Sequence, residues 1–119
     1  IKNLENEGLD KSKFKLSIQN LKNVDQSIKF FCEKNLRDNS IITHNRAVLS
    51  KEFFNFPQEV LFRSFSQILQ LVGKNYFPPR GKKILNILEN LENNTTLKST
   101  LGNCVIKKIN RTVIVFKER

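Results

Sequence analysis

The spacing of apolar residues changes once along this chain, and that change limits its fold more than any other feature. Phe14, Ile18, Leu21, Val24, Ile28 and Phe31 recur every three or four positions, which places them on one stripe of a helix. Val60, Leu61, Phe65, Ile68, Leu69 and Val72 repeat the pattern with a wider face, and Ile84, Leu85, Ile87, Leu88 and Leu91 make a third inward-facing set. From Cys104 the period falls to two. Cys104 and Ile106 alternate with Val105, Lys107 and Ile109, and Val113 and Val115 with Ile114 and Phe116. Asn110-Arg111 supplies a two-residue turn between these runs. The expected fold is therefore α+β, mainly α with a small β-hairpin. A connector with a long amphipathic helix occupies residues 1–40, and a small helical domain over residues 41–119 ends in a hairpin at about 98–118. A lone hairpin is marginal in water, so it must lean on the helices.

Capping residues suggest the boundaries. Asp10 suits an N-cap, because its carboxylate accepts from the free amides of a first turn. The first helix is expected to fade at Asp38-Asn39-Ser40, and its narrow stripe needs something to pack on. Ile41 to Thr43 favour a short extended segment, Ala47 to Leu49 can lead into the next helix, and Ser50 to Phe54 suit a single helical turn. Pro57 opens the second long helix, Gly73 stops it, and Asn93-Asn94 end the third.

The 119 residues suffice for one modest core. With 39% hydrophobic residues and mean hydropathy −0.40, the composition is that of a globular domain. No apolar run approaches the roughly 18–20 residues that span a bilayer, so no membrane partner is expected. The chain has no methionine and begins Ile1-Lys2-Asn3, so it is expected to be a segment of a longer protein. Cys32 and Cys104 form no metal or redox motif, and a reduced, cytoplasmic setting is expected. Charge is the global feature with functional content. Twenty-one Lys and Arg against eleven Asp and Glu give a net +10. Residues 51–119 hold twelve of the basic groups and five of the acidic ones. Such a field attracts polyanions, of which nucleic acid is the commonest in the cytosol; the plainer reading is a solubilising surface.

Catalytic apparatus is missing from the sequence. There is no glycine-rich phosphate loop, no HExxH and no G-x-S-x-G, and His44 is the sole histidine. Cys32 and Cys104 read as small buried hydrophobes rather than nucleophiles. Two regions carry candidate binding chemistry. In Lys74-Asn75-Tyr76-Phe77-Pro78-Pro79-Arg80-Gly81-Lys82-Lys83, the cations Lys74, Arg80, Lys82 and Lys83 occur with no acid, and Arg80, Lys82 and Lys83 stand at or near a helix start that favours anions. Tyr76 and Phe77 there suit stacking on an unpaired base; the rival reading is a rigid Pro-Pro connector whose aromatics plug the core. The second region is the hairpin, where Lys98, Lys107, Lys108, Arg111, Lys117 and Arg119 face the single acid Glu118. Its rival reading is a charged edge that prevents aggregation.

The same segments carry a resemblance. Asn75-Tyr76-Phe77-Pro78-Pro79-Arg80, the helix at 84–91, Thr100-Leu101-Gly102-Asn103-Cys104-Val105-Ile106 and Val113-Ile114-Val115-Phe116-Lys117-Glu118 follow one another as in the C-terminal part of tRNA(Ile)-lysidine synthetases. The shorter form found in α-proteobacteria is the one this chain resembles, and Leu4–Asp10 is similar to the family's interdomain junction. The order of these short motifs carries the resemblance, and Asn103 stands where a second glycine is usual. What it implies is a parent ligase that joins lysine to the wobble cytidine of an isoleucine tRNA, consuming ATP with magnesium in an N-terminal pyrophosphatase-type domain. The S-G-G-x-D-S loop of that domain does not occur in these residues, so no cofactor and no catalytic residue is expected here. The implied role is tRNA binding and positioning through Lys74, Tyr76, Arg80, Lys82, Lys83, Lys107, Lys108 and Arg111. The expected partners are tRNA and the absent catalytic domain, with a second copy of the chain as a further candidate. Two alternatives stand beside this reading: a scaffold without nucleic-acid contact, or an unrelated small basic domain that binds nucleic acid or protein.

Overall fold

Residues 4–39 contain no proline and no run of β-branched residues, and they form one helix, α1 (Leu4–Asn39). The computed structural model describes the backbone of residues 4–118 and the side chains of residues 22–118. Asp10 lies inside α1 rather than at its N-cap, because the helix begins one and a half turns earlier. The chain divides into two units, Ile1–Phe30 and Phe31–Arg119. Of the expected stripe, Phe14, Ile18 and Leu21 lie outside the described side chains, Val24 is 55% exposed, Ile28 is half-buried and Phe31 is exposed. The last turns of α1 pack instead through Cys32, Asn35 and Leu36. Asn35 is fully buried, and its amide is satisfied on both sides: Nδ2 donates to the Phe53 carbonyl at 3.1 Å, and Oδ1 accepts from Asn39 at 2.8 Å.

Two short strands follow, β1 (Ser40–Ile42) and β2 (Arg46–Leu49), then a 3-10 helix (Lys51–Asn55). Helices α2 (Gln58–Gly73) and α3 (Gly81–Asn93) precede β3 (Thr96–Leu101), β4 (Cys104–Ile109) and β5 (Thr112–Lys117). The strands make one antiparallel sheet in the order β1-β2-β5-β4-β3. The fold is thus α+β, and the β4–β5 hairpin turns at Asn110-Arg111. It is the centre of a five-stranded sheet rather than an isolated hairpin. Ala47 to Leu49 belong to β2 and do not lead into a helix, because Ala47 pairs with Val115 and Leu49 with Val113. That pairing with distant residues decides a segment whose local preference is weak.

One face of the sheet meets α2 and α3. Ala47, Leu49, Cys104, Ile106, Val113 and Val115 are buried there against Phe65, Ile68, Leu69, Val72, Ile84 and Leu91. Phe53 and Phe65 are fully buried, and truncating either to alanine should cost about 3–5 kcal/mol. Leu85, expected to face inward, is 39% exposed; Ile84, Ile87, Leu88 and Leu91 are the inward set of α3. Gly73 is the last residue of α2, and the left-handed position beyond it is held by Lys74 (φ 56°, ψ 40°). The amides of Lys74 and Asn75 both donate to the Gln70 carbonyl and close the helix. Gly73 is needed for another reason: a Cβ there would lie 2.3 Å from the Gly102 carbonyl oxygen.

Candidate nucleic-acid interface

The loop 74–80 is fastened to the β3–β4 turn. Gly102 and Asn103 make that two-residue turn with φ of 60° and 64°, the pair of left-handed conformations a tight hairpin requires. Asparagine therefore serves in the second position, as its tolerance of positive φ allows. Asn75 Nδ2 donates to the Gly102 carbonyl at 2.6 Å, and Asn103 Nδ2 donates to Asn75 Oδ1 at 2.7 Å. Gln70 Nε2 donates to the Tyr76 carbonyl at 2.9 Å, and Pro79 packs so closely on Gly102 that a Cβ there would meet its ring at 2.6 Å. Two consecutive prolines fix the remaining backbone.

This bracing presents Tyr76 and Phe77 to solvent. The rings are 90% and 76% exposed, with centroids 5.4 Å apart and planes inclined at 51°. They do not plug the core. Lys74 also projects at this end, its ammonium 3.0 Å from His44 Nε2 and 3.3 Å from Nδ1. His44 sits in the β1–β2 loop, beside Arg46 and Lys117, along an open groove of about 710 Å³. The same end is tied together by the amides of Lys117 and Glu118, which donate to the carbonyls of Asn45 and Asn103. Arg80 occupies the N-cap of α3 in extended conformation, with Lys82 and Lys83 exposed in the first turn and no acid among them. Cations at the positive end of a helix dipole are locally unfavourable unless an anion joins them.

The sheet contributes the rest. Its outer face carries the rows Arg46–Phe116–Val105–Thr100 and Ile41–Val48–Ile114–Lys107–Lys98. Arg46, Lys98 and Lys107 are exposed, whereas Val48, Ile114 and Phe116 are half-buried. Lys98 and Lys107 are direct cross-strand neighbours, a like-charge pair that costs stability. No acidic residue occurs anywhere in 40–50 or 96–117, nor between Lys74 and Leu88.

Of the eight expected site residues, Lys74, Tyr76, Arg80, Lys82 and Lys83 thus lie along the braced loop and the start of α3, and Lys107 lies on the outer face of the sheet. Lys108 differs. It shares the inner face with Cys104 and Ile106, is half-buried, and donates its ammonium to the Leu91 carbonyl in the last turn of α3. Arg111 stands at the β4–β5 turn, at the opposite end of strands roughly 20 Å long. Arg46 and His44 escaped sequence reasoning; reading 46–49 as a strand would have set Arg46 beside Phe116.

Both cysteines are buried free thiols. Cys32 lies 3.6 Å from the Val60 carbonyl and Cys104 lies 3.3 Å from that of Leu69. Burial, with the Glu118 carboxylate adding to it, pushes the Cys104 thiol up to about 11, so it is not a nucleophile at neutral pH. Among the described residues no three metal-ligating side chains come together, and no helix is long and apolar enough to cross a membrane. Compared with protein-family models, with curated proteins and with solved structures, the chain has no match.

Proposed function

We propose that this chain is a tRNA-binding and positioning segment of a tRNA(Ile)-lysidine synthetase. The observation that carries the binding part is the arrangement of basic side chains on the outer face of the sheet, the loop 74–80 and the start of α3. These segments contain no acidic residue, although exposed Glu118 follows directly on β5. This surface tolerates the Lys98–Lys107 pair and three cations at a helix N-terminus, arrangements that a bound polyanion relieves. Lys74, Arg80, Lys82, Lys83, Lys98 and Lys107 would bind phosphates and fix register without reading sequence. The tRNA class and the parent activity rest on the resemblance in the order of motifs. Lysine ligation, with its ATP and magnesium, belongs in this reading to the parent's catalytic domain, and the cytoplasm is its setting.

The experiment is direct titration of the chain with an isoleucine tRNA bearing the wobble cytidine. Binding is expected, and a charge-reversed variant at Arg80, Lys98 and Lys107 should lose most of it. A scaffold would show no affinity, or affinity that charge reversal leaves unchanged. Duplex DNA competing as well as tRNA would favour an unrelated basic domain.

A further inference from the structure

Tyr76 and Phe77 are the most exposed large hydrophobic residues among the described ones, and they sit on a loop braced by three side-chain hydrogen bonds. Surface aromatics scattered singly need no explanation. Here two adjacent rings are held out by four devices: the left-handed Lys74, the Asn75–Gly102–Asn103 clamp, the Gln70 bond to the Tyr76 carbonyl and the Pro78-Pro79 pair. A surface held in shape before binding loses little conformational entropy when it binds. An open groove of about 530 Å³, lined by Gln67, Gln70, Leu71, Lys74 and Asn75, runs beside the tip. The flanking charges Lys74, Arg80, Lys82 and Lys83 are all positive.

We propose that the Tyr76–Phe77 tip is a stacking platform for an unpaired RNA base, the neighbouring cations holding the phosphates on either side of it. This deepens the reading of the chain as an RNA binder and rests on it. A flat π-surface beside cations suits a nucleobase on a polyanionic backbone, because every base offers a face to stack and a phosphate to pair. A fully paired helix offers no such face except at its ends. The tip therefore distinguishes RNA with a free base from RNA without one, which phosphate contacts alone do not.

The chain provides its own reporter. Tyr76 is the only tyrosine and there is no tryptophan, so intrinsic fluorescence reads this loop alone. The probes are a blunt RNA duplex and the same duplex with a short unpaired 3′ extension. The extended duplex should bind more tightly and quench Tyr76. Tyr76→Ala with Phe77→Ala should remove that advantage, roughly 5- to 100-fold, and bring the two duplexes to equal affinity. Tyr76→Phe should retain the advantage. Both positions are exposed, so the variants should unfold like the parent, which a thermal melt checks. Equal, salt-sensitive binding of the two duplexes, unaltered by the double variant, overturns the platform while leaving the basic interface standing, and points to a protein partner for the rings. Absence of binding to either duplex and to tRNA overturns both.

Discussion

Gly73 and Gly102 face each other where α2 ends against the β3–β4 turn, and this contact shows how one side chain can decide a site. A methyl group on Gly73 has no room beside the Gly102 carbonyl, and the obstacle is backbone, which cannot swing aside. Gly73→Ala should destabilise the chain by about 1–3 kcal/mol in urea titration, and should loosen the loop that Asn75 fastens to the same turn. Cys104 gives a second residue-level prediction. Its thiol is pushed from 9.0 to about 11, so the neutral form is the one the fold prefers. The unfolded thiol ionises first as pH rises, and the folded state then binds the extra proton. The stabilisation is therefore complete below about pH 9 and is lost on the way through about pH 11. Cys104→Ala should be less stable at neutral pH through the cavity it leaves, yet show a shallower fall between pH 9 and 11 than the parent. A parallel fall of the two curves would contradict this assignment.

At the scale of elements, the central hairpin was legible and its neighbours were not. Val113 to Phe116 alternate, and Asn110 takes the left-handed φ of 59° that its turn needs, so β4 and β5 follow from local pattern. β2 and β3 do not. Ala47-Val48-Leu49 acquires strand character by pairing with the short β1 on one side and with β5, more than sixty residues away in sequence, on the other, and β3 alternates exposed and half-buried residues on a sheet edge. The charges of the candidate site were legible, but not their division between faces. Period two sets Lys108 with Cys104 and Ile106, a clue that it points inward to the end of α3. Lys107 and Lys108 should accordingly behave differently. Lys108→Ala should cost about 0.5–1.5 kcal/mol by leaving the Leu91 carbonyl without its donor. Lys107→Ala should be neutral or slightly stabilising because it relieves the pair with Lys98. Asn35→Ala tests the junction of α1 with the 3-10 helix, and losing the donor to the Phe53 carbonyl should cost about 1–3 kcal/mol.

At the largest scale, α2, α3 and the inner face of the sheet form the core of residues 31–119, and the outer face, the loop 74–80 and the start of α3 collect basic charge on segments that contain no acidic residue. Solubility alone does not require that segregation, since interspersed charge of both signs serves it as well. Binding by such a surface is driven by release of counterions, so salt is the most direct probe of it. The decisive measurement is the affinity of this chain for tRNA between about 50 and about 200 mM salt, for the parent and for Lys98→Ala with Lys107→Ala. Six phosphate contacts predict a fall on the order of 10²–10³ for the parent and a slope reduced by about two in the variant. An affinity that stays level across that range, or slopes that coincide, would contradict the account.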